Sequence, residues 1–127
     1  MLTSSAANPY LMTFSGTTPT AAPQNCFTTT CTTPKNVAEY GIKEWLSRVD
    51  DELPGARVAI CFDTAPYDSA GLPRWTCTNS GTMLVVKLGW TRASTNRTNT
   101  GDAAFERATA SDGRPSVIMP VVPGAGV

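Results

Sequence analysis

Histidine is absent from all 127 residues of the chain. Its absence removes the side chain that most often acts as general base at neutral pH and most often ligates transition metals, and with it every Ser–His or Cys–His nucleophile pair. Charge is absent from residues 1–34, and over the whole chain ten Lys+Arg balance ten Asp+Glu to a formal charge of zero. A neutral chain without a Lys/Arg cluster lacks the attraction that drives non-specific nucleic-acid binding. Long apolar runs are also missing: none approaches the ~20 residues that an apolar helix needs to cross a bilayer, so no membrane partner is expected. Met1 to Ala7 carries neither the basic nor the apolar region of a Sec signal peptide.

The charge that is present is uneven. Residues 35–68 hold seven acids and four bases, a balance of −3, whereas 69–127 hold three acids and six bases, a balance of +3. That polarity suits the alignment of neighbouring copies as well as an ordinary solvated surface.

Four cysteines form two sequence-local pairs, Cys26 with Cys31 and Cys61 with Cys77. Disulfides are the first reading of such an even set, with free thiols second. A single zinc site is the third, but the 61/77 spacing is not that of a zinc knuckle.

Three regions follow from composition: an extended uncharged arm over 1–33, one globular domain over 34–119, and a Pro/Gly-rich tail over 120–127. Thr33 as N-cap, Pro34 at the first helical position and the stripe Ala38, Ile42, Trp45, Val49 and Leu53 predict a helix over 34–53. Glu39 with Lys43 and Glu44 with Arg48 are spaced to pair along it. Asp50, Asp51 and Glu52 place three carboxylates at its dipole-negative end. Alternation predicts strands over 57–63 and 82–92, a further one over 72–78 ending at Cys77, and a closing edge strand over 116–122 that contains Pro120. A short helix capped by Asp102 is expected through Ala108. The fold class is therefore α+β, mainly β: a small antiparallel sheet, of which a jelly-roll is one form, with one amphipathic helix and extended terminal arms.

Asp63 and Asp68 are the acids outside the helix end that are placed to share a site. As a pair they fit either acid/base chemistry or, better, a hard cation such as calcium, beside the ordinary use of Asp in turns. Arg92 and Arg97, near Trp90, are the candidates for contacting nucleic acid. Lys87, inside an apolar strand, reads either as a buried nucleophile or as a solvent-facing side chain. Asn96-Arg-Thr98 matches a glycosylation sequon, which without a secretion signal reads as a chance match. Tyr10, Phe14 and Trp45 are the aromatic candidates for subunit interfaces, with the monomer core as the alternative for Trp45.

Gly55, Val58, Ile60, Phe62-Asp63 and Asp68 together resemble the strand and acidic loop of small plant-virus jelly-roll coat proteins of the tombusvirus and sobemovirus type, over about a tenth of the chain. The resemblance implies loop aspartates that bind calcium between subunits. Here only Asp63 and Asp68 match those positions. The expectation is a non-enzymatic structural subunit of a virus or phage particle, located in the virion and assembling with copies of itself and other virion proteins. The alternatives are a secreted, extracellular disulfide-stabilised binding module or effector, and a small carboxylate-based enzyme.

Overall fold

The computed structural model describes residues 8–16, 22 and 24–122. Parts of both expected arms, 1–7, 17–21, 23 and 123–127, lie outside them. Helix α1 spans Pro34–Glu52. Thr33 is extended and its hydroxyl accepts the Asn36 N–H at 3.2 Å, while Pro34 stands where no N–H is needed. The helix stops where Leu53 donates its N–H back to Val49 O and Pro54-Gly55 turns the chain, Gly55 at φ +61°. Ile42, Leu46 and Val49 form its buried stripe, at helical spacing as expected. The ion pairs differ from expectation: Lys35 reaches Glu39 at 3.5 Å, and neither Glu39–Lys43 nor Glu44–Arg48 closes. Exposed pairs of this kind gain little over hydration, so spacing alone does not select among them.

The main sheet has four antiparallel strands in the order β1-β2-β3-β6, where β1 is Met12–Ser15, β2 Arg57–Phe62, β3 Leu84–Gly89 and β6 Val117–Val121. A second sheet pairs β4 (Arg92–Ala93) with β5 (Phe105–Glu106). The α+β class holds: the described residues form one four-stranded layer plus a two-stranded ribbon and not the two facing sheets of a jelly roll. Met12–Ser15, expected within an extended arm, is an edge strand of the chain's own sheet. Its alternation explains why: Met12 and Phe14 turn to the core while Thr13 and Ser15 stay exposed. The closing strand is at the opposite edge, where Pro120 is tolerated.

Two expected elements are absent. Residues 72–78 make only an isolated bridge, Tyr67 with Pro73. Pro73 has no N–H to give a ladder, and the Trp75 and Thr76 carbonyls are taken by the Lys87 ammonium. Residues 102–108 form a 3-10 turn, Gly101–Ala104, with Thr100 rather than Asp102 at its cap, before β5 begins. Two residues of strand pairing, Arg92 with Glu106 and Ala93 with Phe105, win over a helix here.

The two sheet faces bury different things. On one, Phe14, Val58, Ile60 and Leu84 pack against Ile42, Leu46 and Val49 of α1. On the other, Ala59, Cys61, Val85, Lys87 and Gly89 are buried beneath the long β2–β3 loop and the segment around Ala108. Gly89 belongs there for a steric reason: a Cβ would lie 2.8 Å from Ala108 Cβ and 3.0 Å from Trp75 Cζ2. The substitution Gly89→Ala is therefore expected to destabilise by about 1–3 kcal/mol through overpacking. Gly41→Ala, in the exposed helix interior with no atom within 4 Å of the new Cβ, should instead stabilise by about 0.5–1 kcal/mol. Urea denaturation of the two variants checks both signs.

Candidate functional site

Alternation along β3 dictates that Lys87 points away from the helix, into the layer between sheet and loop. It is opposite Ala59, whose small side chain leaves room for it. The solvent-facing reading of Lys87 is overturned: its side chain is 0% exposed, as is that of Asp63. Lys87 Nζ donates to Asp63 Oδ2 at 2.5 Å, to Thr76 O at 2.9 Å and to Trp75 O at 3.5 Å. An ammonium offers three N–H donors, and three acceptors are present.

Asp63 is the first residue after β2. Its Oδ1 accepts the N–H of Ala65 at 2.9 Å and of Thr78 at 3.4 Å, so one carboxylate holds both ends of the loop as well as the lysine. Burial pushes this carboxyl up. The Lys87 hydrogen bond, the two amides and the lysine charge together outweigh burial and hold it below the usual carboxylate range.

The loop between β2 and β3 is fastened twice more. Cys61 and Cys77 form a disulfide across 16 residues, with Cα atoms 6.4 Å apart. Arg57 stacks its guanidinium 4.4 Å from the Trp75 ring centroid and donates to Ala108 O at 3.2 Å. Burial lowers the pKa of Arg57 from its ordinary value. Trp75 Nε1 is buried with no acceptor among the described residues, so packing rather than hydrogen bonding holds the ring. The second disulfide, Cys26–Cys31, closes a small loop beside the helix start, where Asn36 Nδ2 donates to Gln24 Oε1 at 2.7 Å. The disulfide expectation holds at all four cysteines, and the thiol and zinc alternatives fall away.

Asp68 does not join Asp63. Its Oδ1 accepts the N–H groups of Ala70 and Leu72, and its Oδ2 accepts Arg114 Nη1 at 2.9 Å. The Leu72 amide is the first reason its carboxyl lies low, against some desolvation, with the Arg114 and Ala70 hydrogen bonds adding to it. Arg114 also donates to Pro73 O, so this acid ties the loop tip to the segment before β6. Each carboxylate of the expected calcium pair thus faces a cation of its own chain. Cys61, Asp63 and Cys77 lie within 4.8 Å of one another, but the two sulfurs are bonded to each other and the carboxylate to Lys87.

The other expected residues are dispersed. Arg92 pairs with Glu106 at 2.7 Å across β4 and β5. Arg97 is exposed on the following turn. Phe14 is buried in the core at 7% exposure, Trp45 packs half-buried against that core, and Tyr10 is exposed. Lys87 and Arg114, the two cations that fix the acidic loop, lie 24 and 46 residues from Asp63 and Asp68, too far for a local pattern to join them. The available signal was a lone lysine in an apolar strand whose antiparallel partner ends in Asp.

Removing one member of this buried pair strands the other. Lys87→Met is expected to cost about 3–5 kcal/mol, and combining it with Asp63→Asn should return part of that loss. Because the Asp63 carboxyl is lower in the folded than in the unfolded chain, its stabilisation is full above the unfolded value, near pH 4, and is lost as pH falls through the folded value. Thermal melts should therefore hold steady from pH 7 to pH 5, drop in more acidic buffer, and drop less steeply in Asp63→Asn.

Set against protein-family models, characterised proteins and solved structures, the chain matches none.

Proposed function

We propose that this chain is a non-enzymatic structural subunit of a larger assembly that matures in an oxidising environment. The two disulfides support the environment, since such bridges persist outside reducing cytosol. Among the described residues no helix is long and apolar enough to cross a membrane. The observation that carries the assembly reading is the unfinished coverage of the helix-side sheet face. Val58 is 1% and Ile60 5% exposed on β2, whereas Val117 is 40% and Met119 57% exposed on β6.

The register places Val117 beside Leu88, Met119 beside Val86 and Val121 beside Leu84 on that same face. Val122, 89% exposed, extends the apolar edge. A contiguous apolar strip of this kind on a sheet edge is the type of surface that subunits cover in one another. The virus or phage particle expected from the sequence is a narrower form of this reading, in which low charge and Thr/Pro-rich extended segments are common.

A second reading, a disulfide-stabilised extracellular binding module, is favoured by an open concavity of about 960 Å³ on the loop side of β1 and β2. Arg57, Trp75, Asn79 and Ser111 are among the residues that line it.

Size-exclusion chromatography with in-line mass measurement separates the two. The assembly reading expects a species several-fold larger than the 13.4 kDa chain, reduced to monomer by Met119→Lys with little change in folding stability. A 13.4 kDa monomer at every accessible concentration overturns it and leaves the binding module.

A further inference from the structure

The turn that follows β4 carries chemistry that neither the sheet nor the buried ion pair uses. Ser94 is anchored by its N–H to Ala104 O at 2.8 Å, and its hydroxyl accepts the Asn96 N–H at 3.2 Å. Asn96, Arg97 and Thr98 project from this anchor and all three are exposed. Thr98 donates twice to Asn96 Oδ1, from its N–H at 3.1 Å and from its hydroxyl at 2.7 Å. A backbone N–H can only donate, which fixes the carboxamide oxygen toward Thr98 and its nitrogen outward. Among the described residues no acceptor engages Asn96 Nδ2.

We propose that Asn96 is an N-glycosylation site, with a lipid-pyrophosphate-linked oligosaccharide as the donor class. The three residues satisfy the Asn-x-Thr acceptor pattern with Arg97 in the middle. Their geometry adds three things that the pattern alone does not supply: an exposed turn that accommodates a bulky substituent, a hydroxyl hydrogen-bonded to the acceptor carboxamide, and a free amide nitrogen. The two disulfides belong to the same kind of oxidising compartment in which such donors are used.

In the transfer, Asn96 Nδ2 forms a bond to the anomeric carbon of the donor sugar. The bond from that carbon to the pyrophosphate oxygen breaks. The lipid pyrophosphate leaves with the electron pair, and the displaced amide proton passes to a carboxylate of the transferase. No oxidant or reductant is required. A glycan here stands clear of the apolar strip of β6 in sequence and lies on the two-stranded ribbon, so it is compatible with the proposed assembly without depending on it.

The test is intact-mass and peptide mass spectrometry of the protein isolated from its source, before and after peptide-N-glycosidase in isotopically heavy water. The expected result is loss of the whole glycan mass with Asn96 converted to labelled Asp. Asn96→Gln and Thr98→Ala, expressed in the same source, should lose the modification completely while keeping both disulfides, and Thr98→Ser should retain it. An unmodified Asn96 in the native protein overturns the proposal, as does a glycan that persists in Thr98→Ala.

Discussion

The loop side of this fold depends on one buried ion pair. Lys87 comes from the middle of β3 and Asp63 from the end of β2, and both side chains are wholly removed from water. Two charges in such a place lose much hydration, and their attraction compensates only when the remaining donors and acceptors are filled. Here they are filled by the loop itself: Thr76 and Trp75 give carbonyls to the ammonium, and Ala65 and Thr78 give amides to the carboxylate. The pair is therefore a weak source of net stability and a strong determinant of where the loop runs. A loop placed elsewhere leaves a lysine buried and unpaired.

The other fastenings follow from that placement. Cys61 neighbours Asp63 and Cys77 neighbours Thr76 and Thr78, so once the ion pair sets the loop the two sulfurs are within bonding reach. Trp75 then lies over Gly89, the position on β3 where a Cβ has no space, with Arg57 on the ring. At the far end of the loop Asp68 and Arg114 repeat the logic with partly exposed groups and link it to the segment before β6. Charge, covalent bond and aromatic packing thus act on a span that has almost no strand or helix hydrogen bonding of its own.

The helix side is built differently, and that difference bears on function. Its cohesion is apolar and graded, dense where α1 meets β1 and β2 and thin at β6. A single helix is about 10 Å across, whereas four strands spaced ~4.8 Å apart are nearly twice that, so one helix leaves part of such a sheet uncovered. Over Val85 and Lys87 of β3 the loop side is closed by the chain's own residues. The helix side leaves Val117 and Met119 exposed, the surface that the proposed assembly would cover.

Local signals determined much of this from sequence alone. Thr33 and Pro34 start a helix because a hydroxyl cap and a missing N–H suit its first turn, and Ile42, Leu46 and Val49 recur at its period. Val58, Ile60 and Phe62 alternate as a strand must, and the cysteine spacing singled out the two pairs that are bonded. What the tertiary structure decided was every choice between partners distant in the chain. Met12–Ser15 became a strand because β2 had a free edge; residues 72–78 did not, because Lys87 took the carbonyls a ladder would need. Asp63 and Asp68 read as neighbours in sequence and were assigned to different cations by register, since Lys87 faces the loop only because β3 pairs Val85 with Cys61. Periodicity and capping are properties of a few adjacent residues, whereas the identity of a charge's partner is fixed only when strands separated by tens of residues are set side by side.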